Sequence, residues 1–249
     1  MNLVAGLRDT MTRNFRQMFR SPACWVVILI VAAIHLTTEW QGGPESRRLL
    51  GWYLNFGLSR EGFLGGKFWT VFSYGLLHGS WWHLGMNALF VLFIGSRIEF
   101  VAGAAVLWRA LVFGIAGGGI CHLLLTPANG SGHVLVGLSG GCLALILLLT
   151  TLSPRSRMMP LPVSGRSLGL GLIFASLLLS MLNLLLSTRQ FAGISEVLTD
   201  YGLGGIFKMG HACHLGGAIA GWLYGRWLLR PRISLESLRS ERMRREVGK

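Results

Sequence analysis

The chain has 249 residues, 52% of them hydrophobic and only 13% charged, with a mean hydropathy of +0.54. A soluble domain carries about 25% charged residues, so this composition excludes an ordinary soluble enzyme and points to the lipid bilayer as the chain's partner. The net charge of +13 would suggest nucleic acid in a soluble protein. No nucleic-acid partner is expected here, because the basic residues follow the topology of the loops.

Six apolar segments are predicted to span the membrane, at residues 22–38, 82–101, 104–126, 135–152, 167–187 and 210–229. A spanning helix needs roughly 20 apolar residues, so the first and fourth are short. Strict alternation of apolar and polar residues is absent, which argues against a β-barrel. The expected fold is an all-α polytopic membrane protein of six transmembrane helices. Its parts are a basic cytoplasmic N-terminal tail at 1–21, a membrane domain at 22–229 and a basic cytoplasmic C-terminal tail at 230–249. The first segment reads as an uncleaved anchor: its basic lead is long for a signal peptide, and no polar secreted domain follows.

The longest polar connection runs from about residue 39 to 68. It mixes Trp40, Trp52, Tyr53, Phe56 and Phe63 with glycines. Aromatic rings favour the membrane interface, so this loop is expected to lie against or partly within the bilayer. Glycine, 35 of 249 residues, is about twice its usual share of ~7% and lets apolar helices approach closely. Cys24, Cys121, Cys142 and Cys213 all fall in apolar stretches without metal-like spacing and read as small buried residues.

Counting Arg97 with the 2–3 loop and Arg226 with the C-terminal tail, the tails and the 2–3 and 4–5 loops carry sixteen Lys and Arg, and the opposite loops carry six: Arg47, Arg48, Arg60, Lys67, Arg189 and Lys208. Arg109 lies within the third segment. By the positive-inside rule both termini are expected in the cytoplasm, with the inner membrane of a bacterium as the expected location.

Several polar residues are stranded in these apolar surroundings. Such groups are expensive at membrane depth and mark a functional site. Ser139 lies in Gly137-Leu138-Ser139-Gly140-Gly141, at the start of the fourth segment. Glycine there permits a tight turn into a helix and leaves backbone N–H groups open, at a helix end that favours negative charge. His214 is followed by Gly217 and Gly221 on one helical face. That groove would press segment six against segment four and bring the imidazole toward Ser139. His83 and Asn87 are four residues apart and share a face, where their donors could complete an oxyanion hole. His78 is expected to precede that helix. Each feature has an ordinary structural reading: helix-packing serine, satisfied core histidine, interhelical hydrogen bond. Together they are the parts of a nucleophilic hydrolase.

In their order along the chain, His78-x4-His83-x3-Asn87, then Gly137-Leu138-Ser139-Gly140, then His214-x2-Gly217-x3-Gly221 resemble the rhomboid intramembrane serine proteases. Phe68-Trp69 before the first histidine and Gly95-x3-Glu99-x3-Gly103 after Asn87 also look like that family. The resemblance covers roughly residues 60–225. It implies a rhomboid-like six-helix bundle, with a membrane-associated loop between the first two helices and a Ser139–His214 dyad without a third acid. It implies an oxyanion hole from His83, Asn87 and the Ser139 N–H. Glu99 and Gly103 would tie the second helix to its loop, and Phe207 and Met209 would belong to a cap over the site. Trp69, His78, Gly137, Gly140, Gly217 and Gly221 would be structural. Transmembrane protein substrates are implied, and no metal or organic cofactor.

Three positions depart from the family pattern. Thr70 stands where an arginine is common, Leu143 where an aromatic often stacks on the catalytic histidine, and His211 where a small or amide residue is usual. Other readings fit less of the chain. The order Ser139, Asp200, His214 matches an α/β-hydrolase triad, but alternating strands and helices are missing. A metal site from His78, His83, His211 and His214 lacks HExxH and a nearby carboxylate. A non-catalytic rhomboid-like pseudoprotease would typically have lost Ser139 or His214. A rhombosortase-like protease acting on C-terminal tails would usually be shorter.

Overall fold

The computed structural model describes residues 17–40, 47–126, 134–158, 163–187, 193, 210–231 and 235–247. Among these the chain is a helical polytopic membrane bundle without strands; two isolated bridges, Leu58 with Leu135 and Arg157 with Ser164, are the only extended pairings. The first apolar segment forms α1 (Pro22–Trp40), with proline at its first helical position, where no N–H is needed. The loop that follows is itself partly helical, as α2 (Arg47–Phe56) and α3 (Arg60–Leu64). A short α4 (Thr70–Ser73) and a 3₁₀ turn (Tyr74–Leu76) lead to the second span.

The second span is continuous from Trp81 to Ala102 but is not uniform. It comprises α5 (Trp81–Phe90), a π-helical turn (Val91–Gly95) and α6 (Ser96–Ala102). Gly103, at φ +89°, lets the chain reverse directly into α7 (Ala104–Leu125). Then come α8 (Ser139–Leu152), α9 (Gly165–Leu186), α10 (His211–Leu228) and α11 (Leu235–Val247). Four stretches, α1, Trp81–Ala102, α7 and α9, are long and apolar enough to cross a membrane.

The α8 helix is the axis of the bundle. Every residue from Ala144 to Thr150 is buried, with α7 and α10 packed along it and α9 outside. That contact is possible because side chains are absent where backbones meet. A Cβ on Gly217 would run into the Gly140 carbonyl, and one on Gly221 into the Ala144 backbone. With little hydrophobic drive between helices in lipid, such close packing of small residues holds them together. The outer α9 instead turns Leu170, Phe174, Leu178 and Met181 outward, as a lipid-facing helix should.

Two polar devices fix the rest. The Glu99 carboxylate in α6 accepts from Ala23 N–H (3.1 Å) and Cys24 N–H (3.3 Å), capping the start of α1. Glu99, expected to tie the second helix to its loop, makes these bonds to the first helix. Thr70, in place of the family's arginine, is fully buried and donates to the Lys67 carbonyl at 2.6 Å. The loop is braced instead by Lys67 Nζ, Trp69 Nε1 and Ser73 Oγ. These donate to the carbonyls of Leu54 (2.9 Å), Asn55 (2.8 Å) and Phe56 (2.7 Å) respectively. The Arg60 guanidinium donates to the Leu123 carbonyl in the last turn of α7, at 2.7 Å.

Candidate active site

The fourth apolar segment is expected to begin near residue 135, yet α8 begins at Ser139. The reason is local. Leu135 exchanges backbone hydrogen bonds with Leu58 (3.0 and 2.8 Å), and Gly137 N–H donates to the Tyr74 carbonyl at 2.9 Å. Gly137 then takes φ +122°, which a side chain rarely tolerates. Tyr74, fully buried, is anchored by its hydroxyl to the Ile115 carbonyl at 2.7 Å, with Cys213 Sγ at 3.3 Å. Ser139 is therefore the first residue of a helix, delivered by a turn held from two sides.

Placed there, the Ser139 N–H has no carbonyl one turn back within the helix to bond. The residue ahead of it, Leu138, offers no side-chain cap. The positive end of α8 is left open for an acceptor. Fourteen residues rise about 21 Å, which falls short of a hydrocarbon thickness of ~30 Å. A helix this short cannot by itself reach from one surface of the hydrocarbon to the other.

His214 sits in the first turn of α10, and its Nε2 is 2.9 Å from Ser139 Oγ. The contact follows from the Gly217–Gly140 approach one turn further along. The His211 ring lies edge-on to His214, with centroids 6.0 Å apart. Leu143 packs into a small apolar cluster with Ile146, Leu147 and Ala218, so no aromatic from that position stacks on His214.

His83 and Asn87 face the start of α8 from α5. The His83 ring lies directly against Gly137, two residues before Ser139. Asn87 is buried beside Cys142, whose Sγ is 3.6 Å from Asn87 Oδ1, three residues after Ser139. The pair thus brackets the serine from one side. Asn87 Nδ2 has no hydrogen-bond partner among the described residues, although buried donors are normally satisfied.

His78 precedes α5, where expected, but is not remote from this group. It is 1% exposed, with its ring centroid 5.2 Å from that of His83. On its other side is His35 of α1, also 1% exposed, at 6.5 Å. His35 was not legible as a site neighbour; the only signal was a histidine in an apolar helix. The nitrogens of both rings lack partners among the described residues. Burial first, and then His83 and His35 nearby, push the His78 pKa down to about 3.

Trp69, Gly140, Gly217 and Gly221 act through the loop brace and the helix contacts described above. Phe207, Met209 and Asp200 lie outside the described residues. No group of three or more His, Cys, Asp or Glu able to hold a metal ion occurs among the described residues. The arrangement can bring a hydroxyl and an imidazole to bear on a carbonyl beside several unused N–H donors.

Comparison with curated proteins returns no match. The model of the Rhomboid domain matches residues 65–231. That stretch covers more than half of the chain and holds the serine, both flanking donors and the histidine, and the chain belongs to the rhomboid family.

Proposed function

We propose that this protein is an intramembrane serine endopeptidase that cuts transmembrane segments of other membrane proteins with a Ser139–His214 dyad. The observation that carries the reading is the 2.9 Å contact of His214 Nε2 with Ser139 Oγ at the open start of α8. His214 takes the hydroxyl proton as Oγ attacks a peptide carbonyl. The new C–O⁻ is met by the Ser139 N–H, Asn87 Nδ2 and the His83 ring, and His214 returns its proton to the leaving amine. Water then hydrolyses the ester by the same route in reverse roles. Helix packing, in place of an acid, orients the imidazole.

The substrate is another protein's transmembrane helix, entering sideways. A helix hides its carbonyls in hydrogen bonds, so it must unwind before attack, and weak helix formers near the scissile bond favour cleavage. With both termini cytoplasmic and six spans, the start of α8 lies toward the outer face of a bacterial inner membrane, where water can reach it.

The test is incubation of the purified protein with a panel of transmembrane substrates, wild type beside Ser139→Ala and His214→Ala. Both variants are expected to fold and to lose cleavage, since each group acts only as part of a pair. A fluorophosphonate probe should label the wild type and spare Ser139→Ala. Cleavage by Ser139→Ala at the wild-type rate would end this reading.

A further inference from the structure

Arg109 lies a turn and a half into α7, within a span. An intramembrane charge is costly unless it finds a partner or the interface. Among the described residues no carboxylate is within ion-pair distance of Arg109, and the residue is exposed on the bundle surface. It lines a groove of about 650 Å³ together with Phe113, Ala220, Leu223, Tyr224 and Trp227, a size within the ~300–1,000 Å³ of small-molecule sites.

The groove runs between two antiparallel helices, since Phe113 meets Tyr224 while Gly118 meets Cys213. Its aromatic wall is ordered: Phe113 stands edge-on to Tyr224 at 5.2 Å, and Trp227 stacks on Tyr224 at 5.9 Å. Tyr224 is only 5% exposed, and its hydroxyl has no partner among the described residues. The far end of the groove is set apart from the dyad: along α10, Trp227 stands thirteen positions beyond His214, about 20 Å, and the nearest lining residue, Ala220, six positions, about 9 Å.

We propose that this groove binds one anionic phospholipid, its phosphate on Arg109 and an acyl chain along Phe113, Leu223 and Trp227. Charge complementarity selects this occupant. A guanidinium within a span, unpaired among the described residues, and a buried hydroxyl with no partner among them line the same groove, which matches a phosphate at the headgroup boundary. The apolar remainder of the groove matches a hydrocarbon tail and would not retain a free anion. Arg226 and Arg230, at the same end of α10, add positive potential there. Basic pockets between helices on the cytoplasmic side are where anionic headgroups are held.

The experiment is native mass spectrometry of the full chain, exchanged into detergent with an equimolar mixture of phosphatidylglycerol and phosphatidylcholine. The wild type is expected to retain phosphatidylglycerol in preference. Arg109→Ala should lower that retention roughly fivefold, the worth of one cation at the headgroup level. Arg109→Lys should keep most of it, and Tyr224→Phe should lose part. Leu223→Trp, at an exposed position, should block the groove without touching the charge and also lower retention, which covers the case that Arg109→Ala fails to fold. Equal retention of the two lipids, or unchanged selectivity in both Arg109→Ala and Leu223→Trp, would overturn the proposal. Displacement of the lipid by excess inorganic phosphate would make the groove a free-anion site, and dimers lost in Leu223→Trp would make it an interface between two copies. Either overturns it as well.

Discussion

The ring of His83 occupies the space in which a side chain at Gly137 would begin: a Cβ there would stand 2.5 Å from His83 Cε1 and 2.7 Å from Nε2. The turn before the serine and the first oxyanion candidate are therefore fitted to one another. Gly137→Ala meets both this clash and a φ of +122°, a backbone strain of about 1–3 kcal/mol. Its melting temperature in detergent and its turnover are both expected to fall. Adding His83→Ala should restore part of the melting temperature and none of the activity, the mark of two residues in contact. Additive losses would show that the ring and the turn are independent.

Asn87 offers a separation of activity from stability. Its Nδ2 is buried without a partner among the described residues, a condition costing about 1–3 kcal/mol. Asn87→Leu removes that donor at similar volume. Turnover is expected to drop on the order of 10²–10³-fold, as for loss of one oxyanion donor, while the melting temperature stays level or rises. Activity lost only in step with folding would make Asn87 a packing residue.

Gly217 is where α10 touches α8. Gly217→Ala places a methyl against the Gly140 backbone, where neither helix has a flexible side chain to yield. A cost of about 1–3 kcal/mol is expected from overpacking, with turnover falling further because His214 is one turn away. Gly171, with open space around it, should accept alanine without effect on either measurement. Equal tolerance at the two positions would dismiss the close approach.

His78 should make the fold sensitive to acid. Its pKa is lowered from an ordinary value of ~6.5 to about 3 in the folded chain. The unfolded state therefore binds the proton first as pH falls. The stability is complete above ~6.5 and declines toward pH ~3, by up to about 1.4 kcal/mol per pH unit. Melting temperatures of wild type and His78→Gln, compared between neutral pH and the acid end of that window, should diverge, with the wild type falling more steeply. Parallel curves would mean that His78 meets solvent.

The topology is testable without activity. Reporter fusions at residue 249 and in the loop near residue 45 should report opposite sides of the membrane. The same side for both would refute six crossings.

The apolar segments were legible because lipid imposes a length and a composition on any helix that crosses it. Gly217 and Gly221 made the approach of α10 to α8 legible as well, since a small-residue face announces close packing. The register of the serine was less so. Nothing in Leu135-Val136 says that this stretch pairs with Leu58 in place of extending α8, because the decision rests on a partner some 77 residues away. Glu99 likewise could be marked as structural, but its partners are backbone N–H groups, which every residue owns and no sequence motif displays. The π-helical turn at Val91–Gly95 was invisible as well, since no residue pattern in that apolar run marks it. The cluster of His35, His78 and His83 needs α1 in place before it exists.

The brace of the first loop has a consequence for which substitutions the family can explore. Lys67, Trp69 and Ser73 hold the carbonyls of Leu54, Asn55 and Phe56, and a carbonyl is the same whichever side chain it carries. Only one accepting side chain takes part, Asn55 Oδ1, which Lys67 Nζ reaches at 3.0 Å; at residues 54 and 56 the specificity belongs to the donors. Residues 54 and 56, whose side chains are exposed, are free to drift, while the three donors that reach for them are not. Comparison of sequences should then find positions 54 and 56 variable while position 55 and the three donors are held, even though all three carbonyl bonds persist.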